Sequence, residues 1–438
     1  MAPRGGDGLH SCTLRSLLMR RRLKFVALAA LALASVARPA LAQSILRDAE
    51  TEAFMADMSA PLVKAAGMQP RNVEIMVIND PEINAFVAGG QYVWVHSGLI
   101  AQADNVNQVQ GVVAHELGHI EGGHIVRFGE GMREATGVTL LSLVLGAAAI
   151  AAGGAEAGLG IMGLGQQAAM SKFLAFSRGQ ESSADLAGAR YLSAAGVSGK
   201  GSLEFFKKLQ NQEYRLAIPQ DNSYGRTHPL SGERINVLRE VYTVDPAWDK
   251  PIDPQLEARF ERIKAKLVGF VSEPTQTLIK YPESDQSIPA HYARAYAWHK
   301  SAYPQRALYE ADALLAAAPN DPYFLELKGQ ILLESGRPKD AVGPLREAVK
   351  LTNQPLISVL LAHALIATED EANFAEAEDV LRIAVARDRE NPFAWYQLGV
   401  VYAPRCAGDG GTLCDDGPAS HGAAQRRRGD AGVAAGHG

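Results

Sequence analysis

The sequence predicts an α+β domain, mostly helical with a small sheet, followed by an all-α domain of repeated helix pairs. Val73, Ile75 and Val77 alternate with Glu74 and Met76, and residues 91–96 are rich in β-branched and aromatic side chains, so both runs are expected to form strands. Apolar residues recur at helical spacing through most of the chain up to residue 270. Beyond residue 290 similar helical segments recur at a fixed period, which is typical of a repeat architecture.

The composition is that of a globular protein that buries a sizeable core in its 438 residues. The formal net charge is −5 and both signs are spread along the chain, so we expect no nucleic-acid partner. Cysteine occurs only at Cys12, Cys406 and Cys414, near the two ends of the sequence. The body of the chain is therefore expected to contain neither a disulfide framework nor thiolate metal ligands.

Residues 1–42 have the features of a cleaved secretory signal peptide. Three arginines at 20–22 and Lys24 precede an apolar run at 25–37, which ends near the small residues Ala40 and Ala42. A membrane anchor is the alternative, but this run is short for a membrane span. We therefore expect export to a bacterial-type periplasm.

The rest of the chain is expected to divide at residues 271–289, whose Pro, Ser and Thr content is typical of a linker. Residues 43–270 then form the first domain. Within it, the apolar residues 138–152 and the glycine-rich stretch after them predict a hydrophobic hairpin or flap, with shallow, peripheral membrane contact as the alternative. A helix of more polar sequence is expected to resume at Ser171 and to end at Gly196.

Residues 290–403 are predicted to form tetratricopeptide repeats. Ala307, Ala341 and Ala377 begin corresponding amphipathic helices at spacings of 34 and 36 residues, and an unrelated helical bundle is the alternative. Residues 404–438 lack the apolar spacing of a further helix and are expected to be a disordered or aberrant tail, such as a shifted reading frame would produce. The opening pattern W-x-x-L-G-x-x-Y of this repeat is matched by Trp395, Leu398, Gly399 and Tyr402.

The strongest chemical signal is His115-Glu116-Leu117-Gly118-His119, which lies in a segment of helical periodicity that Asp104 or Asn105 is expected to cap. Residues four apart project from the same face of a helix, so both imidazoles can reach one metal ion. Zinc bound by two histidines needs a third protein ligand and keeps one position open for water. Glu116 is then expected to accept the proton of an attacking water.

Glu181 is the predicted third ligand, and Asp185, one turn later on the same helix face, is expected to orient a liganding imidazole. A histidine six residues after His119 would indicate another class of metal site, but Ile125 occupies that position. His124 is one residue early and would point away from His119 on a continued helix, so we interpret it as structural. Two histidines with a later glutamate predict a zincin-like fold of the gluzincin type.

These residues, together with Thr227-His228-Pro229-Leu230 and Arg234, resemble the HtpX-type and CAAX-prenyl-protease-type zinc metallopeptidases. The resemblance covers nearly the whole mature chain, up to Ala403. It implies that one Zn²⁺ is held by the two motif histidines and Glu181, and that His228 lies over the metal, where it closes the site or assists the transition state. It also implies that Arg234 orients His228.

With an export signal before and repeats after the peptidase domain, the resemblance implies a periplasmic endopeptidase that cuts misfolded or misassembled outer-membrane proteins. Polypeptide substrates are then expected, together with β-barrel proteins or their assembly machinery, bound through the repeats. A chaperone-like binding scaffold with a normally closed metal site is the alternative, and a hydrolase of non-peptide substrates is a weaker one.

The strand at residues 91–96 has two interpretations. As an edge strand beside the metal it would hold an extended substrate by main-chain hydrogen bonds. As an inner strand it would only support the sheet.

Overall fold

The computed structural model describes residues 44–215 and 232–408. The predicted signal peptide, His228 with its neighbours, and the chain beyond residue 408 lie outside the described residues. The described part is mostly helical with one small sheet, so the expectation of a mainly helical chain with a small sheet is confirmed.

A four-stranded sheet forms one side of the first domain. Its strands are β1 (Ile45–Leu46), β2 (Glu74–Ile78), β3 (Ala85–Ala88) and β4 (Tyr92–His96), in the order β1-β2-β4-β3. The inner pair β2 and β4 is parallel, whereas β1 and β3 pair antiparallel with their neighbours. The two predicted strands are β2 and β4. Because β4 has a partner on each side, the edge-strand interpretation of residues 91–96 is wrong, and β3 is the edge strand beside it.

Helices α1 (Ala49–Ala65), α2 (Ser97–Gln102) and α3 (Val106–Glu121) surround this sheet. Helix α3 is buried along nearly its whole length, and Asn105 caps it by accepting a hydrogen bond from the backbone N–H of Gln108. Three further helices pack in the same domain: α6 (Lys200–Arg215), α7 (Gly232–Thr243) and α8 (Pro254–Val271). One apolar core joins the sheet to these helices, and α3 passes through it.

Helices α4 (His124–Ala151) and α5 (Ala155–Ala195) form a long hairpin. The hydrophobic hairpin is therefore present, but its second helix begins at Ala155 and not at Ser171, so the glycine-rich stretch is helical beyond Gly154. Glycine costs only about 1 kcal/mol in a helix, and Gly158 and Gly165 lie where α4 approaches α5 closely. Helix α5 ends at the left-handed Gly196, as predicted. Within the described ranges, α4 alone is long and apolar enough to cross a membrane.

The predicted linker at residues 271–289 contains a helix, α9 (Pro274–Lys280), and is held in place. The guanidinium of Arg294 donates to the carbonyl oxygens of Pro282 and Asp285 at 2.9 and 2.7 Å. Within this predicted linker, Pro274 begins α9 and Ser287 caps the helix that follows.

Antiparallel helix pairs make up the rest of the described chain. The buried Ala307, Ala341 and Ala377 each lie in the helix that precedes a proline-initiated one. The last helix extends five residues beyond the predicted end of the repeats. The helices are α10 (Ile288–Lys300), α11 (Pro304–Ala317), α12 (Pro322–Glu334), α13 (Pro338–Leu351), α14 (Pro355–Ala367), α15 (Phe374–Arg387) and α16 (Pro392–Gly408).

A buried ionic cluster joins these helix pairs to the first domain. Lys266 on α8 forms ion pairs with Asp48 and Glu50 at the start of α1. Glu50 also accepts a hydrogen bond from the hydroxyl of Tyr292 on α10 at 2.6 Å. Arg262 on α8 binds Asp321, the residue that caps α12, through two hydrogen bonds. The cluster therefore couples the first domain to the first helix pairs through charges that are shielded from water.

Candidate metal centre

Helix α3 carries His115 and His119 into the core of the first domain, where 2% and 8% of their surfaces are exposed. Helix α5 crosses α3 at very short distance, because Gly118 on α3 and Gly188 on α5 have no side chain at the crossing. A Cβ on Gly118 would lie 2.6 Å from the carbonyl oxygen of Ala184. This close approach brings Glu181 on α5 next to the two imidazoles.

The facing atoms of these three side chains have the separations of a tetrahedral metal site. The Nε2 atoms of His115 and His119 are 3.1 Å apart, and each lies 3.4 Å from one carboxylate oxygen of Glu181. Zinc–nitrogen and zinc–oxygen bonds of about 2.0–2.1 Å place tetrahedral ligands roughly 3.3 Å apart. His115, His119 and Glu181 therefore fit one small divalent cation, and all three are buried.

Asp185 and Arg234 form the layer behind these side chains. Oδ1 of Asp185 lies 3.0 Å from Nδ1 of His115, so it is placed to fix the ring orientation, as expected. The guanidinium of Arg234 donates to both Asp185 oxygens at 2.6 and 2.8 Å, and one of its nitrogens lies 3.1 Å from Glu181. The sequence interpretation linked Arg234 to His228, which lies outside the described residues; the structure shows Arg234 bound to the two carboxylates of α5.

His124 lies beside His119, a contact that the sequence interpretation missed. Its Nδ1 lies 2.9 Å from Nδ1 of His119, so it contacts the imidazole on the side away from the other ligands. The prediction that His124 points away from His119 is wrong because α3 does not continue: Gly123 adopts a left-handed conformation with φ of 60° and redirects the chain. The Gly122-Gly123 pair was the signal for this turn.

Glu116 is fully buried on α3, between the two histidines in sequence. Phe206 on α6 forms an adjacent wall, with its ring edge-to-face against His115 at a centroid distance of 6.1 Å. The site therefore combines a carboxylate outside the ligand triad with an apolar boundary. A carboxylate so placed suits a general base.

The charges around the site favour a cation. Burial alone would lower the pKa of His115, but hydrogen bonds with Asp185 and Glu181 raise this pKa to about 10. Burial would raise the pKa of Asp185, but Arg234 and His115 hold it below its usual value. The pKa of His124 is lowered, chiefly by burial. Positive charge is thus stabilised between His115 and the carboxylates, and a divalent ion can supply that charge once the imidazole has lost its proton.

Two buried imidazoles four residues apart, a glutamate from a second helix and an extra buried carboxylate define a metallopeptidase-type centre. A family model described as peptidase family M48 matches residues 19–242, about half of the chain. The chain therefore belongs to peptidase family M48 and is a metalloendopeptidase.

Named relatives agree with this membership. The beta-barrel assembly-enhancing protease of Escherichia coli K12 is 24% identical over 366 residues, which cover 82% of this chain and 73% of that protein. Metalloprotease LoiP of the same organism is 30% identical over 177 residues, covering 40% of this chain and 65% of LoiP. The mitochondrial metalloendopeptidase OMA1 of Bos taurus is 27% identical over 39% of this chain and 33% of its own length. All three relatives are named as proteases.

Proposed function

We propose that this protein is a periplasmic zinc endopeptidase that hydrolyses misfolded or misassembled outer-membrane proteins. The 3.1–3.4 Å separations among His115, His119 and Glu181 are the observation that carries the proposal, because they suit zinc without rearrangement. The name of the E. coli relative, whose match covers 82% of this chain, supports the β-barrel context. The proposed layout is a signal peptide at 1–42, a peptidase domain at 43–270, a linker at 271–289 and tetratricopeptide repeats at 290–403.

In this proposal His115, His119 and Glu181 hold zinc, and each remaining residue has one task. Zinc, when bound, supplies Lewis-acid chemistry that polarises a carbonyl and makes water a better nucleophile near neutral pH. Glu116 accepts the proton of the attacking water and later delivers it to the leaving amine. Asp185 fixes the ring of His115, and Arg234 holds Asp185 and Glu181 in place. The capping role of His228 remains a prediction from the family resemblance.

The edge strand β3 is the proposed platform for an extended substrate. It pairs on one side with β4 and packs beside α3, which carries the metal ligands. An extended chain can add to such an edge through main-chain hydrogen bonds, which depend little on side-chain identity. Strand addition therefore suits substrates that are unfolded but differ in sequence.

The test compares Glu116→Gln with the wild-type mature chain on an unfolded outer-membrane β-barrel protein. Cleavage is expected to fall by about 10²- to 10⁴-fold because the general base is lost, while bound zinc stays at one per chain. Glu121→Gln is a matched control, since Glu121 lies on the same helix and pairs with Tyr191 and Arg190 away from the metal ligands. Full cleavage by the Glu116→Gln chain would refute the proposed mechanism.

The repeat helices are proposed to bind the substrate or an assembly partner. Tyr309 on α11 supports this because 70% of its surface is exposed, in a groove shared with Lys328 and Arg337. Tyr309→Ala is expected to weaken binding of an unfolded β-barrel protein while cleavage of a short peptide is unchanged. Binding that persists in Tyr309→Ala would exclude this groove, and binding without cleavage in wild type would favour the chaperone-like alternative.

A further inference from the structure

The outer part of the α4–α5 hairpin, residues 135–171, exposes apolar side chains to an unusual extent; this segment is called the hairpin arm. Glu156 is its one charged residue. Large apolar side chains are exposed on both helices: Leu140 by 58%, Leu141 by 61%, Val144 by 66%, Leu145 by 51%, Leu159 by 65%, Leu164 by 68% and Met170 by 58%. An apolar surface of this kind on a water-soluble protein marks an interaction site.

Most polar groups of the hairpin arm form hydrogen bonds within the arm and do not need water as a partner. Its backbone is helical apart from a short turn at residues 152–154. The hydroxyl of Ser142 donates to the carbonyl oxygen of Thr139 at 2.8 Å, and that of Thr139 donates to Ala135 at 3.1 Å. Gln166 and Gln167 are exposed, but they lie within about 9 Å of Lys172 along the helix axis. Apart from these two amides and Glu156, which lies at the far end of the arm, the arm satisfies its own backbone and side-chain polar groups, as a polypeptide within hydrocarbon must.

Small residues hold the two helices of the arm together, so the large apolar side chains point outward. A Cβ on Gly146 would lie 2.7 Å from the carbonyl oxygen of Gly158, and one on Gly165 would lie 1.9 Å from Cβ of Ser142. Contacts of this type are typical of helix pairs in membranes, where close backbone approach replaces the hydrophobic driving force. The apolar surface consequently runs around the arm and is not confined to one face.

Charged residues mark where the arm begins. Glu134 and Lys172 form an ion pair of 3.0 Å across the two helices, and Arg127, Arg133 and Arg178 lie on the side towards the peptidase domain. From Lys172 to Glu156 the helix rises about 24 Å, close to the hydrocarbon thickness of roughly 30 Å. An arm that starts at one headgroup layer would thus bring Glu156 near the opposite headgroups.

We propose that the hairpin arm inserts into a phospholipid bilayer, with the Glu134–Lys172 pair at the headgroup layer. A bilayer fits better than a second protein, because a protein partner covers one face whereas this surface surrounds the arm. Lys172 and Glu181 are nine positions apart on α5, and His124 and Glu134 are ten positions apart on α4, so both helices hold the metal centre about 15 Å from the membrane surface. This last consequence rests on the proposed function; the insertion itself does not.

Flotation of the mature chain with vesicles of phosphatidylethanolamine and phosphatidylglycerol tests the insertion. The wild type is expected to float, and Leu141→Glu with Val144→Glu to lower the bound fraction at least about ten-fold, since each acidic group is costly within hydrocarbon. A matched control replaces Val244 and Ile279 by Glu, because both are exposed by 70% or more outside the arm. Loss of flotation in the arm variant alone supports insertion.

Two outcomes would overturn it: a wild-type chain that stays with the soluble fraction, or an arm variant that floats as well as the control. If the arm variant instead abolishes self-association of a chain that binds no vesicles, the arm's occupant is a second copy. In a chain that also carries Cys406→Ser and Cys414→Ser, the emission of a fluorophore on Leu145→Cys is expected to shift to the blue with vesicles, whereas that of one on Val126→Cys is not; equal spectra would contradict insertion. Peptide cleavage without vesicles is measured in parallel. A failure of the proposed peptidase function is then distinguished from a failure of the chain to bind vesicles.

Discussion

The contact between α3 and α5 makes Gly118→Ala a sharp test of how Glu181 reaches the metal site. A methyl group on Gly118 would lie 2.6 Å from the carbonyl oxygen of Ala184 and 2.8 Å from its Cα. Both atoms are backbone, so no side-chain rotation removes the clash. The two helices must therefore separate at a point one turn from Glu181.

The size of this separation decides the effect. Real Cβ atoms essentially never approach within 3.0 Å, so α5 must move by at least about 0.4 Å. A metal site holds its ion well only when each metal–ligand distance lies within about 0.2 Å of the usual bond length. The displacement exceeds this tolerance, and we expect zinc affinity to fall by about 10- to 100-fold. Overpacking should also lower the free energy of unfolding by about 1–3 kcal/mol.

Gly111→Ala is the matched control for this experiment. A Cβ there would lie 2.6 Å from Cβ of Ser202 on α6, which carries none of the three metal ligands. Both variants should lose similar stability in urea titration, but only Gly118→Ala should lose zinc in competition with a chromophoric chelator. Unchanged affinity in Gly118→Ala, or an equal loss in both variants, would refute the idea that this crossing positions Glu181.

Asp185→Asn removes the anion that orients His115, so zinc affinity is expected to fall about 10- to 100-fold in the same chelator assay; a change below about two-fold would contradict that role. Lys266→Met leaves the half-buried Asp48 without its cation and the buried Glu50 with Arg262 alone, so it should lower the free energy of unfolding in urea by at most about 3–5 kcal/mol; wild-type stability would show that the cluster contributes nothing net. Burial raises the pKa of Glu326 to about 8, and its Oε2 has no hydrogen-bond partner among residues 44–215 and 232–408. The folded state thus keeps a proton that the unfolded chain releases above about pH 4.5, so stability falls as pH rises to 8. Glu326→Gln should flatten this fall, a gain of at most about 4 kcal/mol at pH 8, and identical pH profiles of thermal unfolding would contradict it.

Local spacing was sufficient to predict the helix that carries His115 and His119. Its four-residue spacing, its cap at Asn105 and the glycines after Glu121 depend only on neighbouring residues and on helix geometry. The strands β2 and β4 and the helices that contain Ala307, Ala341 and Ala377 followed from equally local patterns. The conformation of these elements depends on residues that are adjacent in the sequence, so the sequence alone is sufficient to predict them.

Contacts between distant segments were decided only in three dimensions. The sequence predicted Glu181 as a ligand, but its place beside the imidazoles depends on a helix crossing at Gly118 and Gly188. Arg234 binds the carboxylates of α5, and His124 turns back onto His119, because a left-handed glycine redirects the chain there. Strand order likewise made β3 the edge and β4 an inner strand. A linear sequence shows which side chains can share one helix face, whereas meetings between segments depend on how well whole surfaces pack.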